Sequence, residues 1–144
     1  MVDVSGKAVT QRVARAQAIV LLGKEIMKLI RKEELLTKKG PVFQTAIVAG
    51  VMAAKKTHEL IPMCHPLLLE DCRVKITKDG DNAIVETEVK VTSKTGVEME
   101  ALAAASVAAL TIYDMCKALS HDIVIREIKL MEKRGGKSDF LRKR

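Results

Sequence analysis

Asp114 and Lys117 stand three residues apart in the run YDMCK, so on a helix they share a face and can pair or converge on one substrate atom. The spacing reads either as an ion pair near a helix C-terminus, where the dipole favours the lysine, or as a general acid/base couple tuned by desolvation. Upstream, Glu98 and Glu100 flank Met99. Glu98 fits a helix cap, whereas Glu100 has no evident structural duty. Cys64 and His65 lie between Pro62 and Pro66. Those prolines remove backbone donors and disfavour helix, giving a stiff loop that either aims the imidazole at a ligand or holds it as a structural histidine. Adjacent Cys and His are too close for ordinary zinc spacing, and no other Cys/His cluster suggests a metal. Lys38 and Lys39 precede Gly40 and a helix start, where cations and free N–H groups can hold phosphate or simply be solvated. The run GGKS at 135–138 lacks the earlier glycine and the following helix of a phosphate loop, so it is a weak nucleotide motif.

These residues must be positioned by a small set of elements. The stretch 95–119, TGVEMEALAAASVAALTIYDMCKAL, reads as one long helix opened by a Thr95/Glu98 capping box and beginning near Gly96. No charge falls between Glu100 and Asp114, so the helix is expected to be buried on all sides. At the helical rise its two charged ends lie roughly 21 Å apart, too far for one small ligand to bridge within one chain. A second subunit that brings one end to the other is the favoured arrangement. Alternation predicts a strand over 13–22, with Ala14, Ala16, Ala18, Val20 and Leu22 on one face. Residues 24–36 read as a short amphipathic helix, 37–40 as a loop, and 41–58 as a second helix with Pro41 in its first position. Small residues, Ala46, Ala49, Gly50, Ala53 and Ala54, permit that helix a close approach to its neighbours. Strands over 73–78 and 83–92 are joined by the turn DGDN. A last strand over 123–131 changes phase at Arg126 and Glu127, as a bulge would make it do. The order strand, helix, helix, strand, strand, helix, strand is a split βαβ pattern with one added helix. It predicts an α+β, ferredoxin-like antiparallel sheet packed by helices on one face.

A chain of 144 residues with 48% hydrophobic and 30% charged residues suits one globular domain, 1–144. No apolar run reaches the ~20 residues of a bilayer span, and the N-terminus lacks a signal-peptide core, so the expectation is a cytoplasmic protein without a membrane partner. Three cysteines with no C-x-x-C pair suggest reduced thiols. Of the net charge of +7, the segment 132–144 holds six basic and two acidic residues, which leaves +3 on the body and predicts a flexible basic tail from about 134. Aromatic residues are 2% of the chain, too few for a base-stacking platform, so a nucleic-acid partner is not expected.

The blocks MVDVSGK, KGPVFQTA, LIPMCHPL, KTGVEMEALAAASVAALTIYDMCKAL and KRGGKS together resemble the cyclic pyranopterin monophosphate synthase family, molybdenum cofactor biosynthesis protein C, over essentially the whole chain. The resemblance implies a ferredoxin-like fold, a homohexamer built as a trimer of dimers, and an active site at a subunit interface. It implies a lyase that converts 3',8-cyclo-7,8-dihydro-GTP into cyclic pyranopterin monophosphate and pyrophosphate without a redox cofactor, leaving open whether Mg²⁺ accompanies the triphosphate. On the matching positions it makes Asp114, Lys117 and Lys39 catalytic. Met63, Cys64, His65, Met99 and Glu100 would line the substrate, with Lys133 and Arg12 as partners for the phosphates. The family often has an acidic residue where this chain has Pro41. That departure bears on the cap of the second helix more than on the chemistry, because Lys39 and Gly40 remain.

Overall fold

The computed structural model describes residues 1–143. Its elements in chain order are β1 (Thr10–Leu21), α1 (Lys24–Met27), β2 (Leu36–Thr37), β3 (Gly40–Pro41), α2 (Val42–Lys55), α3 (Thr57–Leu60), β4 (Asp71–Asp79), β5 (Asn82–Ser93), α4 (Glu98–Cys116), β6 (Val124–Arg134) and β7 (Phe140–Leu141). The main sheet runs β4-β5-β1-β6-β7, and every pairing in it is antiparallel. Taken without the edge strand β7, this is the interleaved order of a split βαβ repeat, in which each helical crossover skips over one strand. The fold is therefore α+β and ferredoxin-like, as the element order predicts.

Alternation puts Ala14, Ala16, Ala18 and Val20 of β1 beside Ala83, Val85, Val89 and Val91 of β5 on one dry face. Thr87 interrupts that apolar row, and its hydroxyl donates to the Ala101 carbonyl at 2.9 Å, which ties the sheet to α4. The anticipated bulge is present. Register along β1 shifts between Ile19 and Val20, leaving Arg126 unpaired opposite them, and again between Arg15 and Ala16, leaving Met131 unpaired.

Helices α2 and α4 lie against the dry face and against each other. Their approach is close enough that a Cβ on Gly50 would stand 3.0 Å from the Ala104 carbonyl oxygen and 3.2 Å from Val74 Cγ2. Glycine is used here for its missing side chain, which accounts for a poor helix former in a helix interior.

Four expectations are corrected. Residues 24–36 do not form one helix: α1 ends at Met27, and the chain reverses through Lys32 (φ 49°) and Glu33 (φ 62°), flanked by paired Arg31 and Glu34. Tertiary burial of Ile30 and Leu35, and the engagement of Glu34 described below, outweigh the helical composition of this stretch. The 95–119 helix begins at Glu98, with Val97 as its cap and no side-chain capping bond, because the Glu98 carboxylate turns back over Gly96 toward Lys133.

Nor is α4 buried on all sides within one chain. Its alanine stripe, Ala101, Ala104, Ala105, Ala108 and Ala109, is fully enclosed, but Leu110 is 57% exposed and Tyr113 37%. By length and composition alone α4, with 19 residues, is apolar enough to cross a membrane. In this fold its apolar character serves the core.

Finally, the segment expected to be a flexible tail from about 134 folds back through its described residues. Phe140–Leu141 pair with β6, and the Arg142 N–H donates to the Met131 carbonyl at 2.8 Å. The turn begins at Gly135 (φ 85°), where a Cβ would fall 1.9 Å from the Gln11 carbonyl oxygen. Arg144, the last residue of that expected tail, lies outside the described residues.

Candidate active site

Two groups of residues form at opposite ends of α4. At its C-terminal end, Asp114 lies between two ammonium groups. Lys39 Nζ is 2.8 Å from Oδ2 and Lys117 Nζ is 2.9 Å from Oδ1. Lys39 also donates to the Asp114 main-chain carbonyl at 3.1 Å, in the last helical turn, where unpaired carbonyls favour a cation. The hydrogen bond from Lys39, and next the one from Lys117, hold the Asp114 carboxyl below the usual aspartate range. Asp114 is thus an ionised carboxylate whose two oxygens each carry a proton donor, and all three side chains are about half exposed. Helix spacing alone places Lys117 beside Asp114. Lys39 arrives from the tip of the β2–β3 hairpin, 75 residues away.

At the N-terminal end, a cavity of about 390 Å³ is lined by Val2, Val4, Met63, Cys64, His65, Met99 and Glu100 among others. The bond from Ile61 N–H to the Thr57 carbonyl (2.9 Å) and that from Cys64 N–H to the Ile61 carbonyl (3.1 Å) set the proline-bracketed loop against α3. Glu100 is the one buried carboxylate among the described residues, and desolvation pushes its pKa up, with the nearby Glu98 charge adding to the effect. Burial, and then the Glu100 charge, push the Cys64 thiol up as well, which favours its protonated form.

Beside this cavity lies a second, of about 220 Å³, lined by Lys7, Arg12, Lys133, Arg134 and Lys137, with Glu98 as its acid. Lys7, Thr95, Gly96 and Glu98 line both cavities, so the two adjoin. Arg12 donates through Nη2 to the Lys94 carbonyl at 3.2 Å, while its Nε is buried without a hydrogen-bond partner. A buried donor left unpaired is costly, and an anion would satisfy it. Lys133 is held 3.4 Å from Glu98. The arrangement suits a ligand with a polar ring in the larger cavity and a chain of phosphates in the basic one.

The residues inferred from sequence therefore fall into two sets. Met63, Cys64, His65, Met99, Glu100, Arg12 and Lys133 gather at one end, and Lys39, Asp114 and Lys117 at the other. Among the described residues no group of three or more His, Cys, Asp or Glu side chains is arranged to hold a metal ion.

A family model described as the MoaC family matches residues 1–136. The chain is also 51% identical over 141 residues, 97% of its length and 86% of the relative's, to a protein of Xanthomonas oryzae pv. oryzae (strain MAFF 311018) named cyclic pyranopterin monophosphate synthase. This chain belongs to the MoaC family.

In this MoaC family member, three lining residues escaped the sequence reading. Lys7 belongs to an N-terminal segment with no periodicity, and its place is set partly by Lys94, whose Nζ donates to the Ser5 carbonyl at 2.8 Å. Arg134 and Lys137 belong to the segment expected to be a tail. The GGKS run, weak as a nucleotide motif, nevertheless places Gly136, Lys137 and Ser138 in the basic cavity. The departure at Pro41 is also accommodated. Pro41 is the N-cap of α2 and has no side-chain acceptor, and the first turn is capped instead by Glu34, whose carboxylate accepts from Phe43 N–H at 2.8 Å and Gln44 N–H at 3.0 Å.

Proposed function

We propose that this protein is a cyclic pyranopterin monophosphate synthase, a phosphorus-oxygen lyase of molybdenum cofactor biosynthesis that converts 3',8-cyclo-7,8-dihydro-GTP into cyclic pyranopterin monophosphate and pyrophosphate. The observation that carries this reading is the Asp114 carboxylate held between Lys39 and Lys117 at 2.8 and 2.9 Å. A carboxylate with a proton donor on each oxygen is the equipment needed to move protons among nitrogen, carbon and water as a modified guanine ring opens and recloses.

Asp114 accepts and returns those protons, Lys117 acts beside it as the acid, and Lys39 completes the relay. Glu100, whose buried carboxyl holds its proton more tightly than an exposed one, is a second donor beside Cys64 and His65. Cyclisation of the phosphate expels pyrophosphate and builds negative charge on the leaving group. Arg12, Lys133 and Lys7, which line the basic cavity, stabilise that charge. Protons and a phosphoryl group move but no net electrons do, so the reaction uses no redox cofactor. A Mg²⁺ ion, where one accompanies the substrate, is carried by the triphosphate.

The two half-sites sit at opposite ends of α4, and a second copy joins them. The exposed apolar residues Leu110 and Tyr113, beside Asp114, support an interface on that side of the helix. A homohexamer built as a trimer of dimers closes every such site. All three cysteines are free, consistent with work in the reducing cytoplasm. Incubation of the purified protein with enzymatically prepared cyclised dihydro-GTP, reading pyrophosphate and the pterin product together, tests the assignment. Stoichiometric formation of both is expected, and a folded protein that releases neither would refute it.

A further inference from the structure

Glu34 touches none of the groups assigned to the reaction, yet its carboxylate is bonded to the main chain on both sides of the hairpin that carries Lys39. Its Oε1 accepts from Leu35 N–H at 2.7 Å and Phe43 N–H at 2.8 Å, and its Oε2 accepts from Gln44 N–H at 3.0 Å. The Leu35 carbonyl accepts from Val42 N–H at 2.9 Å. The first three N–H groups of α2, which no helical carbonyl can reach, are thus all satisfied by residues 34 and 35. An N-cap side chain ordinarily does this from the position just before the helix, but here that position is Pro41.

The consequence is geometric. Between the two clamped strands of chain stand β2 and β3, paired Leu36 to Pro41 and Thr37 to Gly40, with Lys38 and Lys39 as the two-residue tip. The Thr37 hydroxyl accepts from Lys39 N–H at 3.2 Å, which fixes the tip, and Lys39 Nζ reaches Asp114. On the other side of Glu34 the chain reverses through two consecutive non-glycine residues of positive φ, Lys32 and Glu33, a conformation that L-residues avoid unless neighbouring bonds hold it. Leu35, fully buried, anchors the same base in the core.

We propose that Glu34 is the positioning residue for Lys39: by closing the base of the hairpin onto the first turn of α2, its carboxylate sets where the Lys39 ammonium meets Asp114. Glu34 acts through the main chain and makes no contact with substrate. The inference rests on the reading of Lys39 and Asp114 as partners in the reaction.

The test uses the full chain with cyclised dihydro-GTP as substrate and pyrophosphate release as the readout. In Glu34→Ala, kcat should fall about 10- to 100-fold with KM changed less than about 3-fold, the scale expected when a reacting group is displaced by about 1 Å. The acid limb of the kcat profile should move to higher pH, because Asp114 is faced by Lys39 from the hairpin and Lys117 from its own helix, and would retain only the second. A general loss of folded protein would scale the rate equally at every pH and leave the limb in place.

Glu34→Ala/Pro41→Asp should recover most of the lost kcat, since an aspartate at the N-cap offers acceptors to the same Phe43 and Gln44 N–H groups. If Glu34→Ala folds poorly, Glu34→Gln serves instead, since it keeps one acceptor and turns an NH₂ toward Gln44 N–H. A smaller loss with the same shift of the acid limb is expected from it. Wild-type kcat and an unmoved limb in the Glu34 variants, with Lys39→Ala inactive, would overturn the positioning role and leave the catalytic reading intact. A fully active Lys39→Ala would overturn both.

Discussion

Gly50→Ala tests how tightly α2 and α4 must pack for the two ends of the Lys39–Asp114 contact to meet. The new methyl would stand 3.0 Å from the Ala104 carbonyl oxygen, 3.2 Å from Val74 Cγ2 and 3.4 Å from Ala108 Cβ. That approach is tighter than an ordinary van der Waals contact, so the nearest neighbour must give way by a few tenths of an ångström. That neighbour is main chain of a core helix and cannot swing aside as a flexible side chain could. Overpacking of this kind costs about 1–3 kcal/mol. Against it stands the gain of replacing a mid-helix glycine by alanine, about 1 kcal/mol.

The net expectation is a loss of about 1 kcal/mol, or a fall in Tm of about 4 °C for a chain of this size. Urea unfolding at fixed protein concentration, with an unchanged m-value, measures it. Because α2 starts directly after the hairpin bearing Lys39, a helix pushed away from α4 also lengthens the 2.8 Å contact with Asp114, and pyrophosphate release should drop with stability. A Gly50→Ala protein more stable than wild type by the full propensity gain would show that the close approach is not needed, and the reasoning would fail at its root.

Other outcomes follow from the same geometry. Asp114→Asn should slow pyrophosphate release by about 10²- to 10⁴-fold, the usual contribution of a positioned acid or base, while leaving urea unfolding nearly unchanged because the side chain is half exposed. In the wild type, the acid limb of kcat should fall below the ordinary aspartate value near about 3.9, since the two lysines favour the ionised form; a limb at or above that value would contradict the clamp.

Glu100→Gln should raise stability at neutral pH. The folded carboxyl holds its proton more tightly than the unfolded one, so wild-type stability is greatest below the unfolded glutamate pKa and declines as pH rises toward the folded value. The advantage of the variant should vanish in acid, and calorimetry at several pH values reads it. Refolding an equal mixture of Asp114→Asn and His65→Ala chains should return about a quarter of wild-type activity, as expected when half of the dimers are mixed and each of those keeps one intact shared site. No recovery from a mixture that demonstrably exchanges subunits would place the whole site within one chain.

Much of the architecture could be read from local pattern. The alternation along β1 and β5, the phase change at Arg126 and the element order sufficed for a ferredoxin-like sheet, because side-chain period reports directly which face of an element is dry. The three-residue spacing likewise put Asp114 and Lys117 together, since both neighbours lie on one helix. Other features depended on how elements meet. The stretch 24–36 has the composition of a helix, but the burial of Leu35 and the bonds from Glu34 to α2 made it a strained turn and a clamp. Thr95 and Glu98 have the spacing of a capping box, yet the Glu98 carboxylate lies toward Lys133 on a strand that follows much later. Lys39 meets Asp114 across 75 residues, and Lys7 reaches the cavities from a segment with no regular structure. Sequence alone settled the strand faces and the pairing of Asp114 with Lys117, which depend on the repeat of one element. The packing of α2 on α4 decided which distant charges share a site, because that contact is set by the shapes of two surfaces and leaves no mark in the local spacing of either.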